Sequence, residues 1–212
     1  MQYQKIASSL VLMAMLFGCQ KEPVNTSAAT VEKPAKEVNL QAATSLPDLT
    51  GYTKYYIQSG QHECSPRPFV SVSYSELKFQ VVFDSTAVYT SVLASNQSDI
   101  NKLFGFSDNN TFHQYYSARI GWRWYNNRLE LLAYDYNKSI ASSALITAVP
   151  IGSVVSCSIK VLPGSYVFTI NGIVKTMARS ATTITGKGYQ LYPYFGGDEN
   201  ASHDINIWIK KI

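Results

Sequence analysis

The chain has 212 residues, 46% of them hydrophobic and 15% charged, with a formal net charge of +4. That length and balance suit one ordinary globular domain with a substantial core. A net charge this small, with no concentrated basic segment, gives no footing for nucleic-acid binding.

The first predicted element is an export signal. Lys5 precedes an apolar run from Ile6 to Phe17, which ends in Leu16-Phe17-Gly18-Cys19. The run falls short of the roughly 20 residues that a spanning helix needs, and it reads as a secretory signal. Its ending resembles a bacterial lipobox, which implies that residues 1–18 are removed and that Cys19 is lipidated as the mature N-terminus. Phe17 stands where Ala, Ser, Thr or Val is usual. Gln20 beside the cysteine implies an outer-membrane lipoprotein, and Lys21-Glu22 resembles a surface-export tag. The expected location is therefore the outer membrane, on its periplasmic or preferentially its cell-surface face. Residues 20–46 hold no aromatic residue and are rich in Ala, Thr, Ser, Glu, Lys and Pro. They cannot bury enough apolar surface to offset their ordering entropy, so 19–46 is expected to be a flexible tether reaching on the order of 30 Å.

Residues 47–212 are expected to form one all-β domain. Aromatic and β-branched runs are punctuated by Gly, Asn, Pro and Asp, and no segment sustains a capped 3.6-residue apolar period. Leu77, Phe79, Val81 and Phe83 alternate with Lys78, Gln80 and Val82, the pattern of a half-buried strand. Between Tyr116 and Tyr136, Asn126-Asn127 is a two-residue turn that pairs Tyr125 with Arg128 and Arg123 with Glu130. That register gathers Ile120, Trp122, Trp124, Leu129, Leu131 and Ala133 on an apolar face, which makes the two tryptophans core residues. Arg119, Arg123, Tyr125, Arg128, Glu130, Tyr134 and Tyr136 fall on the other face. A slip of one residue would exchange the faces, so burial fixes the register. Val155, Cys157, Ile159 and Val161 again alternate with polar residues. Asn171-Gly172, between Ser165–Ile170 and Ile173–Met177, is a strong hairpin signal because both residues tolerate positive φ. Ile205, Ile207 and Ile209 alternate with Asn206, Trp208 and Lys210 in the last strand.

The hairpin Tyr166-Val167-Phe168-Thr169-Ile170-Asn171-Gly172 and the ending Tyr192-Pro193-Tyr194-Phe195-Gly196-Gly197-Asp198-Glu199, followed by His203-Asp204-Ile205-Asn206-Ile207, resemble the concanavalin A-like lectin/glucanase and laminin-G-like jelly rolls. The resemblance covers residues 50–212 and implies a β-sandwich of two curved antiparallel sheets, one of them often used for glycans. Such a fold hosts binding modules, hydrolases and lyases alike, so it fixes no function.

A glycan site needs aromatic faces, fixed polar groups and, for uronates or sulfates, arginine. Arg119, Arg123, Tyr134, Tyr136, Gln190, Tyr192, Tyr194 and Trp208 fall on expected non-core faces and are the candidate ligand-binding residues. The competing expectation is a Tyr-rich exterior with Arg123–Glu130 as a weak cross-strand ion pair. The runner-up activity is a polysaccharide lyase on uronate-containing glycans, with His113, Tyr115, Arg119 and Gln80 as the acid/base and neutralising groups. A structural lipoprotein without a small ligand is the third reading. A glycosidase is disfavoured because Glu130 and Asp135 have opposite strand parity, and no G-x-S-x-G, phosphate-loop or H-E-x-x-H motif occurs.

No cofactor is expected. Asp198, Glu199, Asn200 and Asp204 offer oxygens that suit Ca²⁺, but their spacing matches no defined calcium loop, and His62, Glu63, Cys64 and His203 lack zinc spacing. Cys64 and Cys157 form an even pair that an exported domain can join. Cys157, on the apolar side of its strand, suits a buried thiol as well, and free thiols are the expected state.

Overall fold

The structure is a computed structural model that describes residues 45–212. The signal peptide, Cys19, Lys21-Glu22 and all but the last two residues of the expected tether lie outside the described residues. In chain order the strands are β1 (Thr53–Ile57), β2 (Cys64–Ser65), β3 (Ser71–Tyr74), β4 (Glu76–Phe83), β5 (Asn101–Ser107), β6 (Tyr116–Tyr125) and β7 (Arg128–Asn137). They continue as β8 (Ile140–Val149), β9 (Val155–Leu162), β10 (Ser165–Ile170), β11 (Ile173–Ala178), β12 (Gly186–Leu191) and β13 (Ile205–Lys211). Among the described residues, two short 3₁₀ segments, Ser85–Ala87 and Ala94–Ser98, are the only helical elements.

The strands form two antiparallel sheets, one ordered β11-β10-β9-β4-β13-β1-β2 and the other β3-β12-β5-β6-β7-β8. The chain is thus an all-β, jelly-roll-like sandwich, as its strand pattern predicts. The β6–β7 hairpin has the expected register, Tyr125 opposite Arg128 and Arg123 opposite Glu130. Asn126 and Asn127 turn it with φ of 51° and 56°. Asn171-Gly172 likewise turns β10 into β11 with positive φ at both residues.

One hydrophobic core fills the space between the sheets. The seven-stranded sheet contributes Leu77, Phe79, Val81, Phe83, Ile159, Phe168 and the three isoleucines of β13, and the six-stranded sheet contributes Phe104, Phe106, Ile120, Trp122, Leu131 and Ala133. Trp122 is fully buried, and Trp124 packs against the core's edge. Cys64 and Cys157 are both buried and free. They belong to β2 and β9, separated by β1, β13 and β4. At nearly 5 Å per strand that separation is far beyond disulfide reach, so a bridge between them is excluded.

Polar groups also cross the core. Asp108, directly after β5 and 1% exposed, accepts hydrogen bonds from Tyr166 Oη of β10 at 2.6 Å and from Arg179 Nε at 2.7 Å. Its second oxygen accepts from the Asn109 and Lys187 N–H groups at 2.7 and 3.1 Å. Arg179 also donates to the carbonyls of Ala181, Thr183 and Thr185, holding the loop between β11 and β12. Burial alone would raise the Asp108 carboxyl, but the hydrogen bonds from Arg179, Tyr166 and Asn109 outweigh it and keep it below the usual carboxylate range. Asp135 on the inward face of β7 lacks such partners. Its Oδ1 is unbonded, and burial raises its pKa to about 6.

Removing one member of a buried, hydrogen-bonded pair costs about 3–5 kcal/mol because the remaining charge is left uncompensated. Asp108→Asn is expected to lose stability on that scale, read as a lower urea midpoint at unchanged slope. A loss below about 1 kcal/mol would show that Asp108 does not hold the sheets together.

Candidate functional site

The outward face of the six-stranded sheet carries the site. In one row across it, Leu191 of β12 lies beside Gly105 of β5, Gly105 beside Arg119 of β6, and Arg119 beside Tyr134 of β7. Gly105 is required in this row, because a Cβ there would run into the Ala118 carbonyl oxygen and lie 2.6 Å from the Arg119 Cα. The bare backbone lets β5 and β6 approach closely beneath the arginine.

Arg119 is 7% exposed. Its Nη2 donates to the Tyr192 carbonyl at 2.7 Å, while its buried Nε has no partner. Among the described residues no carboxylate pairs with it. Burial lowers its pKa to about 10, so it remains charged at neutral pH. Lys102 of β5 lies nearby. Its Nζ donates to the Gly196 carbonyl at 3.1 Å and sits 5.2 Å from the centroid of the Tyr134 ring. Burial first, and the Arg119 charge second, lower its pKa to about 8. Two poorly solvated cations thus share one surface.

His113, in the loop between β5 and β6, is held by Tyr189 of β12. The Tyr189 hydroxyl lies 3.0 Å from His113 Nδ1 and accepts the His113 backbone N–H at 3.1 Å. Burial, then the Arg119 charge, pushes the imidazole below its ordinary pKa, so His113 is neutral at pH 7. Tyr194 stacks flat on His62, with centroids 5.1 Å apart and 5° between the ring planes.

Two cavities meet at this cluster. One of about 260 Å³ is lined by His113, Arg119, Tyr189 and Tyr194, with Glu63 and Arg67 at its wall. The other, of about 370 Å³, is lined by Lys102, His113, Gln114, Arg119, Tyr136 and Tyr194. Because His113, Arg119 and Tyr194 border both, the cavities form one groove with the cations along it.

Of the sequence-predicted residues, Arg119, Tyr136, Gln190, Tyr192 and Tyr194 border the groove, and Tyr134 lies beneath Lys102. Not all of the predicted side chains face it. Arg123 is consumed structurally: its Nε donates to Glu130 at 2.8 Å, Nη1 donates to the Ser98 carbonyl at 2.7 Å, and the guanidinium lies 4.7 Å from the centroid of Tyr125. Glu130 is 1% exposed and held by Arg123 and Arg128 together, so this is a buried cluster rather than a surface pair. Gln190 points inward, where Oε1 accepts from the Tyr74 hydroxyl at 2.8 Å and Nε2 donates to the Gly105 carbonyl at 2.6 Å. The Tyr192 ring packs inward against Tyr55 and Phe104. Trp208 belongs to β13 in the other sheet, so it cannot join this face.

Of the expected lyase set, His113 and Arg119 come together. Tyr115 is 53% exposed and outside both cavities, and Gln80 binds Tyr52 in the other sheet at 3.0 Å. Tyr189 takes the place expected of Tyr115. Lys102 and Tyr189 had no motif to announce them. Each lies on a strand whose polar and apolar positions do not alternate cleanly.

Of the candidate calcium residues, Glu199, Asn200 and Asp204 make other hydrogen bonds. Glu199 accepts from the Val92 and Leu93 N–H groups and from Asn96 Nδ2. Asp204 accepts from the Ser59 N–H, and Asn200 donates to the Gly60 carbonyl. Among the described residues no three His, Cys, Asp or Glu side chains form a group that could hold a metal ion.

No protein-family model matches the sequence, and no curated protein matches it. Among solved structures, a glycoside hydrolase family 16 endo-glucanase from Bacteroides ovatus is similar at 10% identity over 76% of this chain and 80% of its own, with a TM-score of 0.48. A Bacillus licheniformis β-glucanase is similar at 12% identity over 76% and 78%, with a TM-score of 0.46. An alginate lyase of polysaccharide lyase family 7 is similar at 11% identity over 76% and 78%, also at 0.46. Likenesses this distant carry no residue roles across, and the site rests on its own geometry.

An unpaired buried cation is a cost that an apolar side chain does not incur, offset here only in part by the bond to the Tyr192 carbonyl. Arg119→Met is therefore expected to unfold in urea at the wild-type midpoint or above it, by up to about 2 kcal/mol. A loss of more than about 2 kcal/mol would make Arg119 a structural residue.

Proposed function

We propose that this protein binds an acidic polysaccharide in the groove on the outward face of its six-stranded sheet. The observation that carries this reading is a pair of cations, Arg119 buried and Lys102 half-buried, facing the groove with no carboxylate in salt-bridge contact among the described residues. Each loses hydration on folding, and an anionic ligand would supply the missing counter-charge. A guanidinium suits the two oxygens of a uronate carboxylate or a sulfate. Tyr136, Tyr189 and Tyr194 offer rings for the C–H faces of sugars and hydroxyls for theirs, and adjoining cavities suit successive units of a polymer better than a single small anion.

A second reading, eliminative cleavage, is favoured by one observation: His113 and Tyr189 are hydrogen-bonded beside Arg119. In that reaction Arg119 neutralises the uronate carboxylate, which acidifies the proton on the adjacent ring carbon. One member of the pair removes that proton. The glycosidic C4–O bond then breaks, a C4=C5 double bond forms, and the leaving oxygen takes up a proton from the other member.

We also propose that Cys19 carries a lipid anchor on the outer membrane and that the groove meets large polymers outside the bilayer. Support comes from the Leu16-Phe17-Gly18-Cys19 ending and the composition of residues 20–46. Acyl chains contribute about 0.8 kcal/mol per buried CH₂. Cys19→Ala is expected to leave the membrane fraction; full retention there would refute the anchor.

The purified protein is expected to bind polygalacturonate or alginate and to ignore dextran. Arg119→Met should weaken binding by about tenfold or more, the scale of one charge-assisted contact. Affinity should fall between pH 7 and pH 9.5 as Lys102, with a pKa of about 8, loses its charge, and Lys102→Arg should flatten that fall. Rising absorbance from unsaturated products, abolished by His113→Ala with binding retained, would establish the eliminative reading over binding alone. Equal affinity for dextran and for the polyuronates would remove the proposal altogether.

A further inference from the structure

The groove continues past the cations into a region of different chemistry. Beyond Tyr189 lies a third cavity of about 380 Å³, lined chiefly by Phe69, Phe112 and Tyr189 with the uncharged Ser71, Asn110 and Thr111. It shares Phe69 and Tyr189 with the central cavity. Phe69 is 80% exposed and Phe112 68% exposed, a large apolar display for one end of a groove.

Local contacts hold one ring and the backbone that carries the other. The Phe69 ring rests against Tyr189, 5.7 Å between centroids at 31°. The loop bearing Phe112 is closed by the Thr111 N–H donating to the Asp108 carbonyl, the Asn110 N–H donating to the Lys187 carbonyl at 2.7 Å, and the Tyr115 N–H donating to the Phe112 carbonyl at 2.9 Å. Asn109 and Asn110 hold φ of 54° and 52°, a conformation that asparagine tolerates better than most residues. The Phe69 ring and the Phe112 backbone are therefore in place at the groove's end before any ligand arrives, which lowers the ordering cost of binding.

Resting on the polysaccharide reading above, we infer that the polymer is a mixed one, in which an uncharged sugar lies on Phe69 and Phe112 next to the acidic sugar held by Arg119 and Lys102. A carboxylate seated between the two phenylalanines would lose hydration and meet no positive side chain in that cavity's lining. A neutral pyranose has an apolar C–H face for the rings and hydroxyls for Ser71, Asn110 and Thr111. Selectivity then arises at both ends: the cations disfavour a wholly neutral polymer, and the aromatic end disfavours a wholly acidic one.

The test compares the full-length protein with Phe69→Ala/Phe112→Ala and with Arg119→Met. The probes are polygalacturonate, an alternating uronate–N-acetylhexosamine polymer, dextran, and anionic lipid vesicles, all at one ionic strength. Wild type is expected to bind the alternating polymer about tenfold more tightly than polygalacturonate, a difference of about 1.4 kcal/mol. The double phenylalanine variant should lose that preference by weakening the alternating polymer about tenfold more than it weakens polygalacturonate, and Arg119→Met should weaken both acidic polymers. Equal or tighter binding of polygalacturonate by wild type overturns the inference and leaves the acidic-polysaccharide reading standing. A double variant that weakens both acidic polymers alike also overturns it, as does one that keeps the preference. Loss of vesicle binding with the polymer preference intact would assign the phenylalanines to a membrane surface instead. Failure of wild type to bind either acidic polymer overturns both readings.

Discussion

Asp108 is the point at which the two sheets and the site-bearing strand are joined. The carboxylate sits at the end of β5 and is bonded by Tyr166 from the opposite sheet and by Arg179 from the segment after β11. Lys187 N–H adds a bond from β12. A sandwich held only by apolar contact tolerates sliding, because burial is not directional; four hydrogen bonds to one buried carboxylate are. They fix β12 against β5, and with it Tyr189, whose hydroxyl in turn holds His113. The loop bearing Phe112 starts from the same residue, so Asp108 also sets both neighbouring cavities in place.

Charge is handled differently on the two sides of that joint. Asp108 and Glu130 are buried with partners: Arg179 for the first, Arg123 and Arg128 for the second. Arg119 is buried and Lys102 half-buried without them. A protein able to satisfy three arginines in this manner has the means to satisfy a fourth, and leaving Arg119 open carries a stability cost. Such exceptions concentrate at surfaces where another molecule completes the pairing. The groove is therefore marked less by its shape than by what is missing from its wall.

Much of the sandwich was legible in the sequence, because alternation of apolar and polar residues is a direct record of which face is buried. The β6–β7 hairpin shows this most fully: two asparagines that tolerate positive φ, flanked by strands with one wholly apolar face, leave a single acceptable register. The end of the site-bearing strand was not legible for the same reason. Leu191 looks like a core residue and Gln190 like a surface one, yet Leu191 lies in the outward row with Arg119 while Gln190 turns in to brace Tyr74 and Gly105. That inversion moves Tyr189 to the groove. Tyr192 then turns inward and Tyr194 outward, on either side of Pro193, where β12 has already ended. β5 hid Lys102 because it is buried almost throughout and shifts register between Lys102 and Phe104. β8 left little trace because it is an edge strand with a single buried position, Val149.

The distribution of carboxylates bears on what chemistry this surface supports. Hydrolysis of a glycosidic bond by the common route uses two carboxyl groups flanking it, about 5–5.5 Å apart for retention and wider for inversion. Glu130 is locked by two arginines, Asp135 points into the core, and Asp108 is spent on the sheet joint. Among the residues lining the three cavities, Glu63 is the one carboxylate, and it is paired with Arg67 at 2.5 Å. The groove thus offers cations, a neutral imidazole bonded to a phenol, and aromatic faces, but no pair of acids. Elimination from a uronate needs a neutralised carboxylate and a proton shuttle and uses no second acid, while simple capture needs the cations alone. Both fit the residues present, and they differ only in whether the His113–Tyr189 pair reaches the ring proton of a sugar whose carboxylate Arg119 holds.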